Sequence, residues 1–241
     1  MFGWSYFGTS LWFEFGTLYN ALNEIKVFNI LVSKDPFIVG GQDAIPHSAP
    51  YMVSLQFLRR NGLFGHSCGG SIINPMWILS AGHCITITPK EPVVDTFKII
   101  AGQHDLSTDS GNEQVRDVVA WEIHENYNGD VGPNDIAVLR LDTPLIFVVG
   151  IVEPINLPQA GRVPLGDVTL FGWGSISETE TAVIPNILQT VTKDIIPINI
   201  CREILEVTFP NPPLSTTNIC TGPLQSRITA CSGKYLNFSI N

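Results

Sequence analysis

YMVSLQFLRRNGLFGHSCGGSIINPMWILSA, residues 51–81, is the stretch whose texture decides the fold class. It contains YMVSLQFL (51–58), GSII (70–73) and MWILSA (76–81), short runs of apolar, β-branched and aromatic residues broken by Gly, Asn and Pro. Runs this short between turn residues are a strand signature, because a helix needs ten or more periodic positions. FKIIAG (97–102), IAVLRL (136–141) and VTLFGWG (168–174) repeat the pattern, with turn-rich IVGGQDAIPHSAP (38–50), ENYNGDVGPND (125–135) and FPNPPLS (209–215) around them. This spacing predicts an all-β sandwich or barrel. One stretch departs from it. In IPINICREILEV (196–207), Ile200, Ile204 and Val207 fall at i, i+4 and i+7, which predicts a short helix.

Composition agrees with that texture. The chain has 241 residues, 44% hydrophobic and 15% charged, with 21 Gly and 17 Pro, enough apolar material for a real core and more turn residues than long helices tolerate. Thirteen Lys and Arg against 22 Asp and Glu leave a net charge of -9, so nothing supplies the phosphate neutralisation that dominates nucleic-acid affinity. Nucleic acid and anionic membrane surfaces are therefore not expected partners. No window reaches the ~18 consecutive apolar residues of a spanning helix.

Residues 1–13 (MFGWSYFGTSLWF) are uncharged and aromatic, without the positive start of a secretory signal. The mixed order up to Phe37 fits neither strand nor helix cleanly, and residues 1–37 read as a pro-segment or a misjoined leader. The five cysteines form no CxxC, which argues against a zinc ribbon or a thioredoxin-like motif. Two pairs and one orphan is the simplest arithmetic. No metal and no cofactor are expected.

Of the five histidines, at 47, 66, 83, 104 and 124, His83 stands out. It lies in WILSAGHC (77–84), after an apolar strand and next to a cysteine, where the backbone is held. A general base needs a fixed position to stay within proton-transfer reach. Asp135, in NDIAVLRL (134–141), begins a strongly apolar strand. A lone aspartate there is most often a turn residue, but it also suits the role of orienting an imidazole and stabilising its protonated form.

Six motifs now stand in one order: IVGG (38–41), HSCGGSII (66–73), WILSAGHC (77–84), NDIAVLRL (134–141), FGWG (171–174) and TACSG (229–233). Together they resemble a serine protease of the chymotrypsin family, over Ile38 to Gly233. The resemblance implies two antiparallel β-barrels with the active-site cleft between them, and peptide-bond hydrolysis through an acyl-enzyme. It implies His83 as general base, Asp135 as the residue that orients it, and Gly233 in the oxyanion hole. It further implies bridges Cys68–Cys84 and Cys201–Cys220, with Cys231 unpaired, and Ile38 as the N-terminus freed on activation. Thr229 would lie at the base of the primary pocket, where a neutral residue argues against cleavage after Lys or Arg. Secretion, a monomer, protein or peptide substrates and proteinaceous protease inhibitors as partners follow from the same likeness.

The departure lies after Cys231. Relatives continue through Asp-Ser-Gly-Gly-Pro, whereas this chain reads Cys231-Ser232-Gly233-Lys234-Tyr235, which puts Tyr235 in the nucleophile's register. A phenol with pKa near ~10 is a poor substitute for a serine hydroxyl in such a site. Lys234 takes the place of the aspartate that pairs with the freed N-terminus, so Ile38 would meet a cation. The expected organisation is a leader (1–37), a protease domain with an incomplete second barrel (38–233) and a non-family tail (234–241), the mark of a truncated product or incomplete gene model. Three readings compete: a secreted serine endopeptidase inactive in this form, a non-catalytic homologue acting as a binding or regulatory module, and an unrelated all-β binding protein. The intact His83 and Asp135 favour the first.

Overall fold

FKIIA alternates buried Phe97, Ile99 and Ala101 with half-buried Lys98 and Ile100, the period-two pattern of a strand with one face in a core. Similar patterns build most of the structure, a computed structural model that describes residues 29–31, 41–88, 91–92, 96–129, 133–159, 162–177, 183–207, 211–212, 214–215 and 218–222. In chain order the strands are β1 (Asn29–Leu31), β2 (Gln42–Asp43), β3 (Met52–Leu58), β4 (Phe64–Asn74), β5 (Trp77–Ser80), β6 (Thr86–Thr88), β7 (Glu91–Pro92), β8 (Phe97–Ala101), β9 (Gln114–Ile123), β10 (Ala137–Leu141), β11 (Asp167–Gly172), β12 (Gln189–Ile196) and β13 (Asn218–Thr221). A single α-helix among the described residues, α1 (Ile198–Glu206), follows β12.

Six strands close a barrel in the order β10-β5-β4-β3-β8-β9, each antiparallel to its neighbours. Val53, Leu55, Ile72, Ile78, Ile99 and Leu139 fill its interior without exposure to solvent. Closure matters because it leaves no strand edge to pair with another chain. The second sheet runs β1-β13-β12-β11 with β2 also on β12, and it does not close. The chain is thus all-β, with one closed barrel and a second, open sheet.

The two units share a seam. Ala44, Tyr51 and Met52 pack against Phe171, Trp173 and Leu188 in one buried cluster. Leu106 donates its N–H to the Asn186 carbonyl at 2.8 Å, and Leu188 to the His104 carbonyl at 2.9 Å. The Trp173 indole also donates to the His104 carbonyl, at 3.2 Å, so this buried ring has its polar atom satisfied.

Two features differ from what the sequence predicts. β1 lies within the segment that reads as irregular, and its pairing with β13 is parallel where every other described pair is antiparallel. Helix α1 forms, but Ile200, Ile204 and Val207 face solvent, and the packed side is Ile198, Cys201 and Leu205. Cys201 is bonded to Cys220 of β13, and that bond turns the helix so that the residues at i, i+3 and i+7 from Ile198 face inward. Among the described residues no helix is long and apolar enough to cross a membrane.

Candidate active site

The end of β5 sets His83. Ser80 closes the strand, Ala81 stays extended, and Gly82–Cys84 winds into one 3₁₀ turn. The Cys84 N–H reaches the Ala81 carbonyl at 3.2 Å, the Ile85 N–H reaches the Gly82 carbonyl at 3.0 Å, and the Thr86 hydroxyl donates to that same carbonyl at 3.2 Å. Cys84 is also tied to Cys68 of β4 by a disulfide, with Cα atoms 6.1 Å apart. A turn held by backbone bonds on one side and a covalent bond on the other leaves the His83 backbone little freedom.

The start of β10 sets Asp135. Because Ala137 pairs with Ser80 in antiparallel register, continuing the ladder brings Asp135 level with Gly82. Asn134 just before it takes the left-handed conformation (φ 64), which Asn tolerates better than most residues, and its side chain donates to the Asn126 carbonyl. Asp135 is buried at 6% exposure. Its Oδ1 accepts from the His83 backbone N–H at 2.7 Å, and its Oδ2 lies 2.6 Å from His83 Nδ1.

One carboxylate therefore grips the histidine at backbone and ring. The grip fixes the ring's orientation, keeps the proton on Nδ1 and leaves Nε2 as the basic atom. Asp135 packs close against Gly82: a Cβ there would lie 3.2 Å from Asp135 Oδ1, Ile123 Cγ2 and Tyr127 Cδ1 alike, tight contacts that these side chains would relieve by small shifts. His83 Nε2 is 3.6 Å from Cys84 Sγ. Cys68, His83 and Cys84 hold their ligand-type atoms within 4.8 Å of one another, yet the two sulfurs are bonded together and offer no thiolate, so the cluster is not a metal-binding set.

A second histidine, which the sequence does not single out, lies deeper. His66 on β4 has its Nδ1 2.8 Å from the Ser54 hydroxyl on β3, and its ring packs edge-on against Trp173 with centroids 5.3 Å apart. Burial, reinforced by the Arg59 guanidinium, pushes its pKa down to about 4, so it is neutral at physiological pH. The only sequence signal for its burial is its place in a strand running toward Cys68.

Cys201 and Cys220 are bonded, with Cα atoms 6.3 Å apart, and anchor α1 on β13. Thr229, Cys231, Gly233, Lys234, Tyr235 and Ile38 lie outside the described residues. The structure thus brings His83 and Asp135 together and describes nothing of the nucleophile's surroundings.

Comparison with known proteins places this geometry in context. The trypsin family model matches residues 38–234. Lectizyme of Glossina austeni is 34% identical over 205 residues, covering 81% of this chain and 68% of its own length. Trypsin-1 of Astacus astacus is 35% identical over 198 residues, 81% of this chain and 79% of its own. Serine protease SSP1 of Scolopendra subspinipes is 34% identical over 194 residues, 80% of this chain and 63% of its own.

Proposed function

The chain belongs to the trypsin family of serine proteases, and from that premise we propose a secreted endopeptidase architecture, residues 38–233, whose acyl-transfer step is blocked in this sequence at Lys234 and Tyr235. The observation that carries the reading is the double grip of Asp135 on His83. With Nδ1 protonated and held, His83 Nε2 is the atom that takes a proton from an attacking hydroxyl and returns it to the leaving amine. Asp135 balances the imidazolium that forms in between. The backbone N–H of Gly233 belongs to the oxyanion hole in this scheme, and Thr229 makes the pocket base neutral, disfavouring Lys and Arg at the cleaved residue.

The block lies in the two residues after Gly233. Tyr235 stands in the nucleophile's register with a bulky phenol. Lys234 presents a cation where a freed Ile38 ammonium needs an anion, and two buried like charges repel. These same two residues favour a second reading, a non-catalytic homologue that binds without cleaving. Secretion is supported by two disulfides, which persist in oxidising compartments. Partners on the first reading are protein or peptide substrates and protein inhibitors that fill the same cleft, met by a monomer.

A fluorophosphonate probe, which labels only an activated serine, separates the readings. The chain is expected to stay unlabelled, whereas a variant carrying Lys234→Asp, Tyr235→Ser, Leu236→Gly and Asn237→Gly, cleaved between Phe37 and Ile38, is expected to label and to lose labelling on His83→Ala. Serine labelling of the unaltered chain would refute the block. A restored variant that folds and stays dark would favour the binding module.

A further inference from the structure

The hairpin between β3 and β4 turns through Arg59-Arg60-Asn61-Gly62-Leu63, and its own hydrogen bonds hold the turn. The Arg59 N–H donates to the Leu63 carbonyl at 2.9 Å, the Gly62 N–H to the Arg59 carbonyl at 2.9 Å, and the Leu63 N–H to Asn61 Oδ1 at 3.1 Å. Gly62 takes the left-handed conformation (φ 78) that the turn requires. A backbone fixed in this way presents its side chains without further ordering, which lowers the entropy lost on binding.

Those side chains are basic and apolar together. Arg59, Arg60 and Leu63 are exposed, Leu63 at 65%. Leu58 and Phe64 are register partners at the base of the hairpin, and Lys98 of β8 is the partner of Gln56, two residues before Leu58, so the three share the outer face of the barrel. The Lys98 amine lies over the Phe64 ring, 3.6 Å from its centroid. The Arg59 guanidinium folds back beside Gly65 and donates to the His66 carbonyl at 3.2 Å. Lys98 stands opposite Asp117 of β9, yet among the described residues none of the three cations forms an ion pair.

The charge of the hairpin runs against that of the chain. There are 22 Asp and Glu against 13 Lys and Arg, but no acid falls between Asp43 and Glu91, the stretch that contains β3, the turn and β4. The strands of the hairpin therefore do not neutralise its own cations. A guanidinium fits a carboxylate, two N–H groups to two oxygens, and Leu58 and Leu63 beside the cations fit an apolar side chain set between acidic ones. A sulfated glycan would use the cations and leave the leucines in water. β4 leads from this hairpin to Cys68, whose bonded partner Cys84 follows His83, and from Gly65 to Cys68 the strand rises about 10 Å.

We propose that the β3–β4 hairpin, together with Lys98, is a docking surface for an acidic polypeptide segment whose carboxylates flank apolar side chains. The surface lies outside the His83–Asp135 pair and binds whether or not the chain cleaves peptide bonds.

The test uses the full chain and a fluorescein-labelled peptide, Glu-Leu-Glu-Asp-Leu-Glu, followed by anisotropy, with Gln-Leu-Gln-Asn-Leu-Gln as its uncharged twin. The acidic peptide is expected to bind at least about tenfold more tightly than the twin, and to bind more weakly as ionic strength rises past about 0.15 M. Arg60→Glu and Lys98→Glu are each expected to weaken binding by about five- to tenfold. Amide exchange at Leu58–Gly65 should slow on binding, while β12 is unchanged. Equal affinity for the two peptides overturns the proposal, as do charge reversals without effect, or protection that appears away from the hairpin. Should either reversal also lower the protection of Phe97–Ala101, Arg60→Gln and Lys98→Gln decide in its place, a weakening of about threefold supporting the surface and an unchanged affinity refuting it. A sulfated oligosaccharide that binds with the same sensitivity to Arg60→Glu, where the acidic peptide does not bind, would assign the surface to a glycan and refute the peptide reading.

Discussion

Gly82 carries no Cβ, and Asp135 packs close against it. A methyl group at 82 would meet Asp135 Oδ1, Ile123 Cγ2 and Tyr127 Cδ1 at 3.2 Å, tight contacts with side chains that are relieved by shifts of a few tenths of an ångström. Gly82→Ala is therefore expected to lower stability by no more than about 1 kcal/mol, the low end of overpacking, and to leave the carboxylate on the His83 N–H. Urea midpoints measure the first effect and the position of the His83 amide proton the second; a much larger loss, or a marked upfield move of that proton, would show that the turn cannot adjust. His66 gives a residue-scale prediction of a different kind. Its folded pKa, about 4, lies below the 6.5 of an exposed histidine, so between those values the unfolded chain binds a proton that the folded chain refuses. This contribution is full above pH 6.5 and is lost as pH falls toward 4, on the order of 3 kcal/mol in all. His66→Gln removes the proton site, so its stability should decline less than the parent's between pH 7 and 4.5. Equal declines would mean that other groups govern the acid sensitivity.

At the scale of elements, α1 shows how a short helix is held. Nine residues are too few to persist alone, Pro197 at its N-terminus provides no side-chain cap, and Ile200 and Ile204, with Val207 just past its end, face water. The Cys201–Cys220 bond, across a separation of 19 residues, supplies the anchor. Replacing both cysteines by alanine is expected to cost about 3 kcal/mol and to abolish amide protection of α1 before that of β12. Retained protection in α1 would show that Ile198 and Leu205 suffice. The same helix marks a limit of reading sequence: the 3.6-residue period of Ile200, Ile204 and Val207 is real, but a covalent bond selects a different face. Strands β3, β5, β8, β10 and β11 are legible because their apolar residues are dense. β9 (QVRDVVAWEI) and β12 (QTVTKDII) are harder to read, since charged residues interrupt their apolar ones and dilute the signal. His83 and Asp135 are legible as types in motifs, whereas their contact is not, because it depends on the β10–β5 register across 52 residues. The burial of His66 is likewise a tertiary fact, made by Trp173 from the other sheet.

For the whole molecule the decisive asymmetry is between a barrel that closes and a sheet that does not. The barrel satisfies its own strand edges and encloses a continuous apolar interior. The open sheet has a small core around Val168, Leu170 and Ile219 and borrows the rest from the seam. Among the described residues Trp173 is the largest fully buried side chain, and it touches His66 of the barrel while donating to His104 in the loop that bridges toward β12. Truncating it removes packing from both units at once and leaves the Trp173 side of that carbonyl without its donor. Trp173→Ala is therefore expected to cost about 3–5 kcal/mol, as large buried aromatics do, but to distribute the loss unevenly. The open sheet, having less core of its own, should lose amide protection in β11 and β12 at urea concentrations where Met52–Leu58 and Phe97–Ala101 remain protected. In the unaltered chain the seam couples the units, and the two sets should lose protection closer together. If the variant instead melts in one step in every segment, the barrel depends on the open sheet, and the molecule has one cooperative unit where its topology suggests two.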